Sequence, residues 1–454
     1  MDGTLTEDGR TSVPAAKRRA LVIWATAAAV YLIAVFHRSS LGVAGLQAAD
    51  RFHLDAAALG AFTVLQIGVY ALMQIPTGLL VDRFGPRRML TAAAVLMGLG
   101  QVLFAVAATY PLALVARGVL GLGDAMTFVS VLRLIAAYYP PRRYATFAAI
   151  TAALGAVGNL AATLPLTLLL ADAGWTATFA VAGAATAGYA VVVALRVRDT
   201  PEGEQAHRSD AVGAREVADQ VRQAWRVAGT RLGFWVHFST MFAPAVLGLL
   251  WGFPYLVQAQ GMSAAAAGAV LSLLVVVGMV TGPFIGEFMG RRPQARVPMV
   301  AAYLGVAMVL WGLLLGWPGG VAPAPLVVVA FGVFSVGVPL SGVAFALARD
   351  YNPIRRVGTA TGLVNVGGFT AVTITAFGIG VLLGGDAAAA DAGAFRVAFL
   401  AVAAVLLFGS WRTLVWWRRA RAAVFAADAR GEAVPVQIRR RTWDIPARAR
   451  TETA

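Results

Sequence analysis

Runs of apolar residues, each of about 20 or more, alternate along the chain with short polar gaps. They fall at 20–47, 56–80, 89–109, 111–138, 144–171, 174–195, 231–258, 264–289, 297–317, 323–349, 355–384 and 393–418. About 20 apolar residues wound as a helix cross the hydrocarbon core of a bilayer, so each run predicts a membrane-spanning helix. The expected fold class is an all-α membrane protein with twelve transmembrane helices. The pattern breaks at 196–230, a long charged stretch. Within it Val217, Val221, Ala224, Trp225 and Ala228 recur at helical spacing among Arg and Asp. That predicts an amphipathic helix lying on the inner membrane face.

The polar gaps are of two kinds. KRR at 17–19, DRFGPRR, PPRR at 140–143, RVR at 196–198, GRRPQAR at 290–296, NPIRR at 352–356 and WRR at 417–419 are basic. The gaps between them, ATYP, ADAG, QAQGMS and PGGVAPAP, hold no Lys or Arg, and in the first gap Arg51 is balanced by Asp50 and Asp55. Positive charge marks the cytoplasmic side, so both termini are expected in the cytoplasm. The start, MDGTLTEDGRTSVPAAKRRA, is acidic before it is basic, and no small-residue cleavage site follows the first apolar run. It reads as a cytoplasmic tail leading into a retained helix rather than a signal peptide. The expected organisation is a tail at 1–19, a six-helix bundle at 20–195, a linker at 196–230, a second bundle at 231–418 and a polar tail at 419–454.

Composition agrees with the pattern. The 454 residues are 59% hydrophobic and 13% charged, with mean hydropathy +0.73, where a soluble chain carries about 25% charged residues. A net charge of +15 could mean nucleic acid, but its confinement to alternate loops argues for topology, and no nucleic-acid partner is expected. With no cysteine and four scattered histidines, neither disulfides nor a metal or other cofactor is expected. No nucleophile–base pair or phosphate loop suggests an enzyme.

The two halves repeat each other. GLLVDRFGPRR follows the second run and GPFIGEFMGRR the eighth, so Arg87 and Arg88 match Arg291 and Arg292. PPRRYATF follows the fourth run and NPIRRVGTAT the tenth. Two pseudosymmetric six-helix bundles are a transporter architecture, with the substrate held between repeats near mid-membrane.

GLLVDRFGPRR resembles the signature of the major facilitator superfamily, whose second-to-third-helix loop reads roughly G-x-L-x-D-R-x-G-x-R-R. Gly78, Leu80, Asp82, Arg83, Gly85, Arg87 and Arg88 fill it. The resemblance implies the major facilitator fold and alternating access. Physically, the glycines allow close helix approach, and Asp82 at the inner end of its helix can pair with arginines or a helix N-terminus. Gly78, Asp82, Arg83, Gly85, Arg87 and Arg88 are therefore expected to form a gate latch. Simple topology anchoring would explain the arginines but not Asp82 or the glycines.

Ionisable residues at membrane depth are costly and point to function. FHRSS in the first run places His37 and Arg38 within an apolar helix, and RGVLGLGDAM in the fourth places Arg117 and Asp124. Seven residues turn a helix by about 700°, so Arg117 and Asp124 are expected on one face, about 20° apart. Arg133 falls on the opposite face, where it can snorkel to lipid headgroups. Gln66, Tyr70 and Gln74 recur every four residues in the second run as a polar stripe. In the second half His237, Trp251, Tyr255 and Asn365 are the polar candidates. His237 reads as a solvated residue near the cytoplasmic end of its run, and Trp251 and Tyr255 as packing aromatics at least as readily as ligand contacts. Two arginines against one aspartate leave a positive surplus suited to an anion. The alternative is that Arg117 only holds Asp124 while Arg38 pairs with Asp50 or Asp55.

Within the superfamily, Arg38 followed by Phe62, Tyr70, Gln74, Pro76, Gly78, Asp82, Arg83 and Gly85 is similar to the organic anion:cation symporter group. That resemblance implies that Arg38 and Arg117 bind a substrate carboxylate and that Asp124 is the proton-coupling acid. Gln66, Tyr70, Gln74 and Asn365, the polar candidates read from the residues themselves, are expected to contact the substrate as well. The group often has an acid before the first-helix arginine. Here it is His37, itself able to carry a proton near neutral pH. The function so implied is proton-coupled symport of a small organic anion, by a monomer in a bacterial inner membrane. A proton-coupled multidrug or metabolite efflux antiporter is the alternative, since R-x-x-x-G-x-G at Arg117–Gly123 also occurs in such pumps. Their fifth-helix G-x-x-x-G-P-x-x-G pattern is missing, because that run reads ALGAVGNLAATLPL. Nitrate porters use one arginine in each of the second and eighth helices, and neither run here has one at mid-membrane.

Overall fold

The computed structural model describes residues 12–54, 56–162, 164–201, 214–383 and 391–432. Among the described residues all regular structure is helical. Among those residues ten helices are long and apolar enough to span a bilayer, and Val64–Leu72 with Gln74–Phe84, bent by 49°, form an eleventh candidate. The seventh expected span lies in a helical stretch that is interrupted rather than regular. There Ala228–Val246 is followed by π-helical turns at Leu247–Trp251 and Tyr255–Ala259, on either side of Gly252–Pro254. Pro244 and Pro254 each lack an amide donor and crowd the preceding turn, and wider turns absorb the misfit.

The chain divides into two compact units. One takes in Met1–Tyr139 and Leu154–Asp210, the other Pro140–Ala153 and Ala211–Ala454. The first contains α1 (Ser12–Phe52), α2 (Ala56–Leu72), α3 (Gln74–Phe84), α4 (Pro86–Val106), α5 (Tyr110–Ala125) and α6 (Thr127–Tyr138). Helix α7 (Pro141–Ala161) contributes its later part to this unit, and α8 (Leu164–Arg196) completes it. The second contains the start of α7, then α9 (Ala214–Arg226), α10 (Ala228–Val246), α11 (Gly252–Pro254), α12 (Ala264–Arg291) and α13 (Arg296–Gly316). It ends with α14 (Ala324–Ser335), α15 (Gly337–Tyr351), α16 (Val357–Leu383), α17 (Ala392–Ala398) and α18 (Leu400–Ala429).

The repeat seen in sequence has a backbone counterpart. The fourth span breaks at Met126, whose N–H turns to Gly123 O at 3.1 Å, and the tenth breaks at Val336, whose N–H turns to Val333 O at 3.1 Å. In the first unit α4 and α8 cross at Gly98 and Gly183, where a Cβ on Gly183 would stand 2.8 Å from Gly98 O. Lipid tails give helices no hydrophobic reason to associate, so close backbone packing at small residues supplies the attraction. Burial is arranged to suit lipid: Val64, Leu72, Phe284 and Phe377 are exposed, while Arg117, Asp124, His37 and Arg133 are enclosed.

Three expectations are corrected. The linker helix α9 packs on α10 and α16 rather than only on the membrane face. Ala224 is fully buried, Gln220 donates to Thr359 Oγ1 at 3.2 Å, and Arg231 donates to Trp225 O at 2.6 Å. At Ala224 its apolar stripe is covered by protein, which sequence periodicity does not distinguish from a lipid contact. The polar tail expected from 419 begins as helix, since α18 continues to Ala429. The fifth span, expected as one helix over 144–171, is interrupted between α7, which stops at Ala161, and Leu164. The expected break before the sixth span falls at Gly174 (φ 72°), a backbone shape that glycine adopts without strain.

Candidate substrate and coupling site

Helix α1 carries His37, Arg38, Ser39 and Ser40 past α5 and α8, and all four side chains make hydrogen bonds. Arg38 grips Asp124 with both arms of its fork, Nε to Oδ2 at 2.8 Å and Nη2 to Oδ1 at 2.6 Å. Asp124 is fully buried, whereas the Arg38 side chain keeps 29% of its surface open. The guanidinium also lies over the Tyr70 ring, 4.7 Å from its centre. Such a bidentate pair is among the strongest polar contacts a protein makes, and its exposed member is the one a soluble anion can reach.

The partners differ from those expected along one helix. Arg117 lies within the field of Asp124, but the carboxylate's ion pair is with Arg38. Arg117 is 1% exposed, sends Nη1 toward His37 O at 3.4 Å, and rests over the Phe104 ring at 5.3 Å. Arg38 pairs with Asp124; of the two first-gap aspartates considered for it, Asp55 lies outside the described residues. Arg133, expected to snorkel to headgroups, is 4% exposed and reaches Asp82 instead, Nε to Oδ1 at 3.3 Å.

His37 is sealed in, with Nε2 and Thr186 Oγ1 2.8 Å apart. The Thr186 hydroxyl donates its single proton to Ala182 O, so Nε2–H of His37 is the donor and Nδ1 carries the lone pair. That Nδ1 is buried without a hydrogen-bond partner.

The polar stripe of the second span divides at the bend. Gln66 is buried with its Nε2 unpartnered. Tyr70 faces Arg38, and Gln74 turns back to donate to Tyr70 O at 2.9 Å. In the second unit Asn365 accepts from His237 Nε2 at 3.1 Å. His237 is 3% exposed, which corrects the solvated reading; Gly368, packed against its ring, lets the helices close over it. Trp251 donates to Ala376 O at 3.1 Å and Tyr255 packs on Phe399 at 4.8 Å, both as structural aromatics.

The loop after the second span is tied within the first unit. Gly85 has φ +85°, and a Cβ there would collide with the Asp199 carboxylate. Asp199 Oδ1 accepts from the Arg87 amide at 2.7 Å, capping α4. Arg133 therefore stands within the field of both Asp82 and Asp199. Arg83 lies over Phe84 at 5.0 Å, and Arg88 is exposed. The counterpart loop differs. Glu287 accepts from Thr146 Oγ1 at 2.8 Å and from Arg291 Nε at 2.7 Å.

Sequence reasoning missed Asp199, Tyr31, Asn159 and Thr186. Tyr31 lies within the fields of Arg38, Tyr70 and Asp124, seven residues before Arg38 and so on the same helical face, a spacing that was there to be read. Ser39 donates to Asn159 Oδ1, and Asn159 is exposed inside an apolar helix. Asp199 lies in a charged loop with no periodic signal.

A family model of the Major Facilitator Superfamily matches residues 27–375. The chain is similar to a Cupriavidus necator protein named probable sulfoacetate transporter SauU, 27% identical over 277 residues, 59% of this chain and 64% of that one. The chain thus spans just under two thirds of that relative. It is 25% identical to the Escherichia coli probable galactarate/D-glucarate transporter GarP over 380 residues, 76% of this chain and 84% of that one. It is 27% identical to the Mycobacterium tuberculosis probable nitrate/nitrite transporter NarK2 over 322 residues, 69% and 77% of the two chains. Among solved structures, the E. coli fucose:proton symporter FucP superposes with TM-score 0.62 at 17% identity, over 87% of this chain and 99% of that one. That likeness concerns the fold alone.

Proposed function

The chain belongs to the major facilitator superfamily, and we propose that it works by alternating access to carry a small organic anion in symport with protons. The observation that carries this reading is the bidentate Arg38–Asp124 pair, with a sealed acid and a part-open arginine. While Asp124 is ionised it occupies the guanidinium fork. A proton on Asp124 removes that charge, and the fork is released to a carboxylate or sulfonate of the same planar demand. Proton and anion thus enter together, because an unpaired charge at membrane depth is costly. Tyr70 holds the guanidinium from below, and Tyr31, Ser39 and Asn159 offer polar contacts beside it. Arg117 and His37 sit behind this face as an enclosed positive and a proton-accepting neighbour. The relatives named for sulfoacetate, galactarate/D-glucarate and nitrate all point to anions. The same reading makes the protein a carrier rather than an enzyme, monomeric in a bacterial inner membrane, with both termini in the cytoplasm and the two six-helix bundles as its moving parts.

The reading is tested by thermal shift of the purified protein with dicarboxylates, hydroxy acids, sulfonates, nitrate, sugars and lipophilic cations. A ligand at 100 times its Kd stabilises the folded state by about 2.7 kcal/mol. Carboxylates or sulfonates are expected to raise the midpoint, and more at lower pH, since binding takes up a proton. Stabilisation by lipophilic cations with none by anions would favour the efflux antiporter.

The latch belongs to the same proposal. Asp82→Asn removes the charge that Arg133 meets at 3.3 Å, and Asp199→Asn weakens the cap on α4. Each variant is expected to fold and bind anion normally while exchange slows about tenfold, in line with loss of one charge-assisted bond of about 1.5 kcal/mol or more. Vesicle counterflow beside equilibrium binding measures the split. Unchanged counterflow in both variants would remove the latch role.

A further inference from the structure

At the basic end of the second unit, α10, α13, α15 and α18 enclose a recess of about 430 Å³, its mouth included. Leu232 gives it an apolar wall, Arg296 and Arg421 a basic one, and Tyr351, Trp417 and Gln294 complete the lining the argument needs. Arg296 opens α13 with 2% of its side chain exposed. Its Nε donates to Met289 O at 3.0 Å, its Nη1 meets the Asp350 carboxylate, and its Nη2 is buried with no hydrogen-bond partner. Asp350 also has Arg349 at 3.8 Å. Arg421 is 6% exposed, its guanidinium 5.4 Å from the Phe425 ring centre. Asp350, Arg421 and Arg296 all reach Tyr351 electrostatically, and the Tyr351 ring is wedged against Gly229 and so fixed in place.

Arg296 and Arg349 therefore flank one carboxylate, Arg421 stands across Tyr351 from it, and one Arg296 guanidinium nitrogen lacks an acceptor. A buried donor left without an acceptor, as Arg296 Nη2 is, loses a full hydrogen bond. The recess also lies where α18 presents Trp416 and Trp417 among arginines, the composition of a membrane interface on the side of the basic loops. Basic pockets between spanning helices on that side suit anionic lipid headgroups.

We propose that this recess binds a phosphate-type anion, one oxygen accepting from Arg296 Nη2 and another facing Arg421, with an anionic membrane phospholipid or free phosphate as its source. The site is separate from the Arg38 site and stands whether or not that site carries anions.

The test uses the full chain in a neutral detergent. Its thermal midpoint is measured with phosphatidylglycerol, with phosphatidylcholine and with inorganic phosphate, and bound lipid is counted by native mass spectrometry. Phosphatidylglycerol is expected to raise the midpoint and remain bound where phosphatidylcholine does not. A rise with inorganic phosphate as well assigns the free anion to the same site. Gln294→Glu adds a carboxylate at the exposed mouth, where the fold does not depend on it. It is expected to raise the half-saturating concentration about tenfold, the effect of one like charge in a partly solvated site. Arg421→Gln is expected to weaken binding further. No preference for anionic over zwitterionic lipid together with no response to phosphate overturns the proposal, and so does an unchanged half-saturation in Gln294→Glu.

Discussion

Asp124→Asn is expected to abolish anion accumulation driven by a proton gradient while leaving anion exchange in place. Asparagine mimics the protonated acid, so it can still accept one bond from Arg38 but no longer claims the whole fork. The anion then binds without a proton, and its affinity loses its dependence on pH. Gradient-driven uptake should fall about 100-fold or more, the factor that belongs to roughly 2.7 kcal/mol of lost coupling. Arg38 keeps 29% of its side chain open, so water can solvate the released guanidinium and the variant should fold with a loss of about 1–3 kcal/mol. Counterflow without a gradient, run beside gradient-driven uptake in the same vesicles, measures both. A variant that accumulates substrate as well as the parent would show that Asp124 is not the coupling acid. A variant that loses binding of lipophilic cations, in a parent that never bound anions, would mean drug efflux.

Arg38→Lys is expected to weaken anion binding by about 10- to 100-fold although the charge is kept, because one of two charge-assisted bonds worth about 1.5–3 kcal/mol is lost. Lysine is a point donor. It can meet one oxygen of Asp124 and so preserve the pair that seals the helix contact, but it cannot present two parallel N–H groups to a carboxylate. It also gives up the planar stack over Tyr70, 4.7 Å away in the parent. Proton uptake on Asp124 survives in this variant, so the defect should appear in affinity rather than in the pH dependence. Equilibrium binding of the anion identified by the thermal screen measures the effect. Unchanged affinity would make Arg38 a structural partner of Asp124 or a general attractor of negative charge.

The sequence by itself determined the membrane class, the placement of the basic loops, the internal repeat and the family. These follow from run length, composition and local motif, and none of them needs a partner from elsewhere in the chain. His37, Arg38, Arg117 and Asp124 stood out for the same reason, as ionisable groups within apolar helices. Gly85 was singled out as well, but for close helix approach; its positive φ and its fit against the Asp199 carboxylate came only with the structure. What the sequence did not determine was who pairs with whom. Helical periodicity placed Arg117 and Asp124 on one face, yet faces are shared with neighbours on other helices. Helix α1 crosses α5 so that Arg38 reaches Asp124 across 86 residues, while Arg117 is closed off against Phe104 and His37 O. Arg133 could as well have snorkelled, until Asp82 stood within 3.3 Å of it. The α9 stripe was equally compatible with lipid and with protein, and only contact with α10 and α16 chose between them. Tertiary structure decides these matters because a buried charge takes the best partner that packing brings within reach, and packing is set by close crossings such as Gly98 on Gly183 and by breaks such as Met126.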